Sequence, residues 1–372
     1  MTEHRVADSW CRAISNARMF TTVGPNAEWI SYAPCCNVWT DRNTVVSKDD
    51  LDRIHHDIVT HVHANKNVSC NTCIHREKSS RSKRSARQIV HEIVPANATW
   101  GEFQYLIFQL DIRCNAACVM CSPRFSTLWQ QELGQTVNMT EKKATESLTN
   151  LCKLIDWSVV RYISFSGGEP LLTESHEKIL EYVPDLSKVT LRYTTNASVA
   201  PSTRTLELWK KVNKVILEIS VDGTDEQYEY IRYPLKWNTV ENNIAHLAEF
   251  LEKNCVGAEI HINYTVNPLN LLYLDSMDRW YKIMQSKYNI FKTLEYHNCG
   301  GPVWDLRAIS PQILDIFKDT HSIDHAAMYM FSNFRFEPHK TNLLRTELTT
   351  LDQRRKLDWR TAFPKYINLL GD

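Results

Sequence analysis

The residues with the clearest chemical potential stand together in CNAACVMCSPRF, which begins at Cys114. Cys114, Cys118 and Cys121 are spaced CxxxCxxC, and thiols this close in sequence read as ligands for a metal or a metal cluster. Zinc held by three thiolates would want a fourth protein ligand or a water. A [4Fe–4S] cube has four irons and is held by cysteine thiolates. Three thiolates from one loop would leave one iron open to an outside ligand, so the missing fourth thiol can be the point of the site.

A second group of cysteines lies nearer the N-terminus: Cys11, the adjacent pair Cys35 and Cys36, and the CxxC formed by Cys70 and Cys73. The runs MFTTV and EWISYAP flank the turn GPNA and predict a β-hairpin. A hairpin brings its ends together, which places Cys11 near the Cys35–Cys36 pair. The spacing SKDDLDRIHHDIVTHVHAN predicts a helix over 47–64, with Ser47 and Asp50 as a capping box and Leu51, Ile54, Ile58 and Val62 as its apolar stripe. That helix can return CxxC to the hairpin's ends. Successive strand residues point to opposite faces, so the expected ligand set is Cys11, Cys35, Cys70 and Cys73, with Cys36 able to take the place of Cys35. Zinc and an iron–sulfur cluster both remain open, although 33 residues separate Cys36 from Cys70, more than a common zinc ribbon has.

These groups need a scaffold. Strand-like runs YLIFQLDI, RYISFS, VTLRYTT, VILEISV, EIHINYTV and TLEYHN alternate with helical segments between residues 101 and 300. Alternation with connections of this length predicts parallel strands joined by right-handed crossovers. Six such strands predict a partial α/β barrel, with its chemistry at the C-terminal ends of the strands. The three-thiol loop follows the first of them directly. SFSGGEP follows the second, in a chain with only 10 glycines. Gly167 and Gly168 would let backbone approach a ligand closely, and Glu169 is suited to pair with an ammonium group. TTNAS follows the third strand and SVDG the fourth, with Arg232 ten residues after Asp222. Each taken singly also reads as an ordinary strand end.

Composition narrows the class. The 372 residues carry 43 basic and 43 acidic side chains, a net charge of zero that argues against broad binding to nucleic acid. The N-terminal segment is polar and charged, which predicts no signal peptide, and no run of about eighteen apolar residues predicts a membrane span. The 11 cysteines, grouped at short spacing without a secretion signal, predict metal or cluster chemistry in a reducing cytoplasm rather than a disulfide framework. Residues 76–87 hold six Lys or Arg and read as a solvated linker.

In their order on successive strands, these features resemble the radical S-adenosylmethionine (SAM) enzymes. The resemblance implies a partial (β/α)6 barrel in which Cys114, Cys118 and Cys121 hold a [4Fe–4S] cluster. The open iron is chelated by the amino and carboxylate groups of SAM, and an electron from the cluster cleaves the sulfonium to methionine and a 5′-deoxyadenosyl radical that takes hydrogen from a substrate. It also implies that Gly167, Gly168, Glu169 and Pro170 contact the methionine amino group, and that Asn196, Ser220 and Arg232 contact SAM, the last two at its carboxylate or ribose. Met120 stands where many relatives have an aromatic residue packing by the adenine. The fifth strand lacks the glycine-rich element some relatives carry, which leaves Val266 and Asn267 as weak candidates.

The N-terminal pattern resembles the twitch domain, the shortened SPASM domain that carries an auxiliary iron–sulfur cluster. Cys11, Gly24, Cys35–Cys36, the 47–64 helix, Cys70, Cys73 and Glu77 match its order. The expected plan is then a twitch-like domain at 1–75, a basic linker at 76–100, the barrel at 101–300 and a helical extension at 301–372. The resemblance favours a peptide or protein substrate. A small metabolite, sugar or nucleoside is the second choice, and an electron donor such as flavodoxin or ferredoxin is implied. A zinc-stabilised binding module without catalysis is the alternative from another class. Cys152, Cys255 and Cys299 read as core, and His55, His56, His61 and His63 as a solvated helix face.

Overall fold

The computed structural model describes residues 17–23, 29–33, scattered positions from 47 to 77, 85–99, 102–109, 111–136, 148–301, 303–322, 326–331 and 334–370. Its strands are β1 (Ala17–Val23), β2 (Trp29–Ala33), β3 (Tyr105–Gln109), β4 (Tyr162–Phe165), β5 (Thr190–Thr195), β6 (Lys214–Ser220), β7 (Glu259–Val266) and β8 (Phe291–Asn298). The principal helices are α1 (Ala86–Ile93), α2 (Thr127–Glu132), α3 (Ser175–Leu180), α4 (Thr203–Trp209), α5 (Asp225–Ile231), α6 (Trp237–Asn254), α7 (Leu274–Lys287), α8 (Pro311–Thr320) and α9 (Pro338–Arg355). The six strands expected from the alternation are β3 to β8, and the class is α/β. No helix among the described residues is long and apolar enough to cross a membrane.

The chain divides into two compact units. One takes residues up to 112 with 137–193 and 203–215; the other takes 113–136, 194–202 and 216–372. In the first, strands run in the order β2-β1-β3-β4-β5. β1 and β2 are antiparallel, as the hairpin expectation requires, and β1 then pairs parallel with β3. The hairpin therefore extends the same sheet that carries β3 to β5.

The register explains why. Phe20 is opposite Phe108, Phe108 opposite Phe165, and Phe165 opposite Tyr193. Their ring centroids are 5.6, 5.9 and 5.0 Å apart, and all four residues are buried. Each aromatic pair adds roughly 0.5–1.5 kcal/mol beyond the area it buries. A slip of one residue would turn the whole row to the other face. β4 is buried along its full length, as parallel strands covered on both faces are.

Two expectations near the N-terminus meet different fates. The Ser47 hydroxyl accepts from the Asp50 amide at 3.1 Å, and residues 49, 50, 52–54, 56, 57 and 60 are helical. The basic stretch, read as linker, instead runs into a helix. Ser85 caps α1 and makes a reciprocal pair with Gln88, a capping box that a reading fixed on charge passes over. Glu77 bonds Ser85 and Arg87, and the Arg87 bond, with that from Ser85, holds its carboxyl below the usual range against the pull of burial.

In the second unit, β6, β7 and β8 pair parallel. Alternation puts Leu217, Ile219, Ile260, Ile262 and Tyr264 on one face, all buried. The opposite face carries Glu218, Ser220, His261, Asn263 and Thr265, all half-buried. Helices α6 and α7 each bury an apolar stripe, Val240–Ile244–Leu247–Leu251 and Met277–Trp280–Tyr281–Met284. The helical extension includes α8, capped by the Ser310 hydroxyl with Pro311 at its first position, and α9, which buries Leu344, Leu348, Leu351 and Arg355.

Candidate active site

The loop from Cys114 to Cys121 has no regular secondary structure, so its backbone polar groups need partners from elsewhere. The start of α2 supplies several. The Thr127 hydroxyl accepts from the Cys114 amide at 3.2 Å, the Ser126 hydroxyl donates to the Ala116 carbonyl at 2.6 Å, and the Trp129 indole donates to the Cys118 carbonyl at 2.9 Å. The end of α5 supplies two more, since the amides of Ala117 and Val119 donate to the carbonyls of Tyr233 and Ile231 at 2.7 and 2.8 Å. The Cys121 amide closes a turn onto the Cys118 carbonyl at 2.9 Å. Ala116, Ala117 and Val119 are buried, while the three cysteines keep some exposed surface.

Arg232 and Asp222 form a buried ion pair at 2.6 Å beside these thiols. An Arg232 Nη1 donates to Cys118 Sγ at 3.8 Å. Burial works against the Arg232 charge, but Asp222 and Cys118 outweigh it and hold the guanidinium protonated above its ordinary range. Burial pushes the Asp222 carboxyl up, opposed by Arg232 and by the Thr265 amide, which donates to Oδ1 at 2.6 Å. Burial also pushes the Cys118 thiol up to about 12; Arg232 opposes the rise, while Cys121 and Cys114 add to it. Cys121 is raised by burial too. The Nε of Arg232 is a buried donor without a hydrogen-bond partner among the described residues, so the guanidinium has unused capacity at the thiol site.

Asn196 joins the same unit's network. Its amide nitrogen donates to Asn115 Oδ1 at 3.2 Å, and its Oδ1 accepts from the Ser198 amide at 2.8 Å. Asn115 in turn donates to the Ser198 hydroxyl at 2.9 Å. The TTNAS loop is thereby tied to the residue that follows Cys114. Between the two asparagine partners, Ala197 adopts φ 54°, a left-handed conformation that glycine takes at no steric cost. Ser220 lies half-buried at the end of β6, and Met120 is half-buried within the cysteine loop. Asn267 is wholly buried and shapes its own turn: its Oδ1 accepts from the Leu269 amide at 2.9 Å, and its amide donates to Asn270 Oδ1 at 2.8 Å.

The SFSGGEP turn belongs to the other unit. Gly167 has φ 129°, and a Cβ there would lie 2.6 Å from the Asp111 carbonyl oxygen. That oxygen accepts from the Gly168 amide at 2.8 Å. The first glycine is therefore required by the fold of the turn, whatever the turn binds. The Glu169 side chain is buried and accepts from the Leu171 amide at 3.0 Å, capping the short 3-10 turn Pro170–Leu172.

Among the described residues, no three His, Cys, Asp or Glu side chains group as ligands of one metal ion. The three thiols stand near enough for Cys114 and Cys121 to raise Cys118 electrostatically. A cube of four irons takes its cysteine ligands on separate irons, so thiols spread along one loop suit it, whereas a mononuclear zinc wants its sulfurs about 2.3 Å from one centre. The donor set fits the cluster: Cys114, Cys118 and Cys121 would hold it, with the Arg232 N–H group directed at one of the ligand sulfurs.

Of the N-terminal group, Cys73 is buried and helical; Cys11, Cys35, Cys36, Cys70 and Gly24 lie outside the described residues. Cys152, Cys255 and Cys299 are buried as expected, and burial raises the first and third to about 12. His56 is exposed, and His55, His61 and His63 fall outside the described residues. Reading from sequence missed the polar face of β6 to β8. There His261 bonds Thr293 at 2.8 Å, His297 bonds Asn263 at 3.1 Å, and Thr194 donates to Glu218 at 3.4 Å. Its signal was the strict alternation of polar residues in EIHINYT.

Residues 112–270 match the family model described as the Radical SAM superfamily. Enzymes of that superfamily use a [4Fe–4S] cluster and SAM. The chain is 25% identical over 246 residues to "Molybdenum cofactor biosynthesis protein 1" of Dictyostelium discoideum, an alignment that covers 64% of this chain and 35% of that protein. The chain thus spans about a third of that relative's length. Among solved structures, it is similar to anSMEcpe with bound AdoMet and Kp18Cys peptide (17% identity, TM-score 0.36, 66% of this chain and 58% of that one). It is also similar to Streptococcus suis SuiB bound to precursor peptide SuiA (15% identity, TM-score 0.37, 90% and 61%). Both scores are too low to carry a substrate assignment.

Proposed function

We propose that this protein is a radical SAM enzyme that removes a hydrogen atom from a polar, peptide-like substrate. The observation that carries the reading is the cysteine loop itself: three thiols on the loop that follows the first barrel strand, a loop backbone bonded by Thr127, Ser126, Trp129, Ile231 and Tyr233, and a buried guanidinium directed at Cys118. The family match over the same residues supports it. When bound, the cluster supplies the electron that cleaves SAM. The chain's own part is to hold and insulate. Burial around Cys118 limits its contact with bulk water, and Arg232 presents positive charge where thiolates and a carboxylate would gather. Gly167, Gly168, Glu169 and Pro170 are, by the family resemblance, the candidates for contact with the methionine amino group. Asn196, Ser220 and Met120 are the remaining candidates for SAM contact.

The half-buried face of β6 to β8, with Glu218, His261, Asn263, Glu295 and His297, supports a substrate rich in hydrogen-bonding groups. The N-terminal cysteine pattern, with its likeness to the twitch domain, supports a peptide or protein. A small-molecule substrate is the second reading, favoured by the name of the curated relative. A reductant such as flavodoxin or ferredoxin would supply the electron. The test is to incubate the reconstituted, reduced protein with SAM without oxygen and to analyse the products. Formation of 5′-deoxyadenosine and methionine is expected, and a protein with its full iron complement that leaves SAM intact would overturn the reading.

A further inference from the structure

Arg355 ends α9, and it lies 238 residues from the carbonyl it serves. Its side chain is 2% exposed. The guanidinium is sandwiched between two rings, with its carbon 4.7 Å from the Trp129 centroid and 4.7 Å from that of Tyr233. Nη2 donates to the Ala117 carbonyl at 2.8 Å, and Nε donates to the Glu132 carboxylate at 3.1 and 3.2 Å. Both sandwiching residues also hold the cysteine loop directly, Trp129 through the Cys118 carbonyl and Tyr233 through the Ala117 amide. One side chain thus touches, at the same time, the peptide between the first two cysteines and both of the residues that fix it.

We infer that Arg355 is a positioning residue for the three-thiol loop, locking the Ala117–Cys118 peptide so that the Cys118 sulfur is presented in one orientation. The inference rests on the reading of that loop as the cluster site, although its physical content concerns the loop alone. Three features require arginine. A planar guanidinium can stack between two rings, its fork can serve a carboxylate and a carbonyl in different directions, and its charge persists when buried. A lysine ammonium would keep the charge and lose the stack and the fork. The consequence is that the helical extension, distant in sequence, forms part of the active site's frame.

The test compares the full-length cluster-free protein with its Arg355→Met, Arg355→Lys and Glu132→Gln variants by hydrogen exchange. In Arg355→Met the amides of Ala117 and Val119 should exchange roughly tenfold faster, while β7 and β8 amides exchange as in the parent. Arg355→Lys should recover only part of the protection. After reconstitution, the reduced cluster of Arg355→Met should show an altered electron paramagnetic resonance line shape, which a general stabilising role for α9 would not produce. Should Arg355→Met fail to fold, Glu132→Gln, which removes the carboxylate that aims the guanidinium, should show the same local pattern at smaller amplitude. Parent-like exchange at Ala117 and Val119, an equal rise in β7 and β8, or full rescue by lysine would each overturn the inference. Local loosening in a protein that does not cleave SAM would uphold the positioning role and sink the proposed function instead.

Discussion

The cysteine loop and the Gly167–Gly168 turn are both short segments that follow barrel strands, and they are held in opposite ways. The loop is held from outside, by side chains of Thr127, Ser126, Trp129 and Arg355 and by carbonyls at the end of α5. The turn is held through its own backbone, by a glycine conformation and one amide-to-carbonyl bond to the Asp111 backbone. A segment held by many side chains fails gradually as each is removed. A segment held by the absence of a Cβ fails at a single position. The loop's design suits a site whose ligands are side chains, and the turn's design suits one that offers its backbone.

The largest effect expected is on the loop. Changing Cys114, Cys118 and Cys121 together to Ala should abolish 5′-deoxyadenosine formation. If the N-terminal cysteines hold a second cluster, iron should fall from about eight per chain to about four. A variant that retains zinc and no iron would identify the N-terminal group as a zinc site; normal SAM cleavage by it would break the comparison altogether.

Next in size is Arg232→Met. It leaves Asp222 buried without its cation and Cys118 without its N–H donor. Breaking a buried pair in this way costs about 3–5 kcal/mol, read as a lower urea midpoint. Asp222→Asn with Arg232→Met should recover part of that loss, because it removes the stranded carboxylate. If the single variant is as stable as the parent, the ion pair is not the loop's support.

Gly167→Ala tests the turn. The new Cβ would be forced against the Asp111 carbonyl in a backbone conformation that L-residues rarely adopt, at a cost on the order of 1–3 kcal/mol. Gly168→Val should instead leave any cluster in place and weaken SAM binding. Equal stability of Gly167→Ala and parent would show that the turn can relax, and would weaken the contrast between the two regions.

An effect of pH bears on the unit that carries the turn. His176, at the start of α3, is buried, bonds Thr205 at 3.1 Å, and is held down to about 4 by burial, against the pull of Glu177. Because the unfolded chain binds this proton at a pH near 6.5 and the folded one only near 4, stability falls as pH drops from about 6.5 towards 4 and then levels. The His176→Leu variant should lose that component, flattening the acid limb by up to roughly 3 kcal/mol. An unchanged acid limb would mean that His176 already takes up its proton in the folded protein.

Much of this molecule was determined by its sequence, for a physical reason. Strand alternation and helical stripes are periodic, so β3 to β8 and the α/β class followed from spacing. The thiol spacing marked the loop, because ligands on one loop must be close in sequence. The capping of α1 by Ser85 was equally local and was hidden only by the charge around it. What tertiary structure alone decided is what depends on contacts across the chain. The pairing of β1 with β3 was set by an aromatic row whose members, Phe20, Phe108, Phe165 and Tyr193, are scattered over the sequence. Arg232 was expected at the site, yet its bond to Cys118 and its buried pairing with Asp222 required the folded loop. Arg355 gave no local sign at all: in α9 it is one of two successive arginines near the end of a polar helix, and only the fold shows which of them enters between Trp129 and Tyr233. Periodicity and spacing are written along the chain, whereas a guanidinium's partners are chosen by packing in three dimensions.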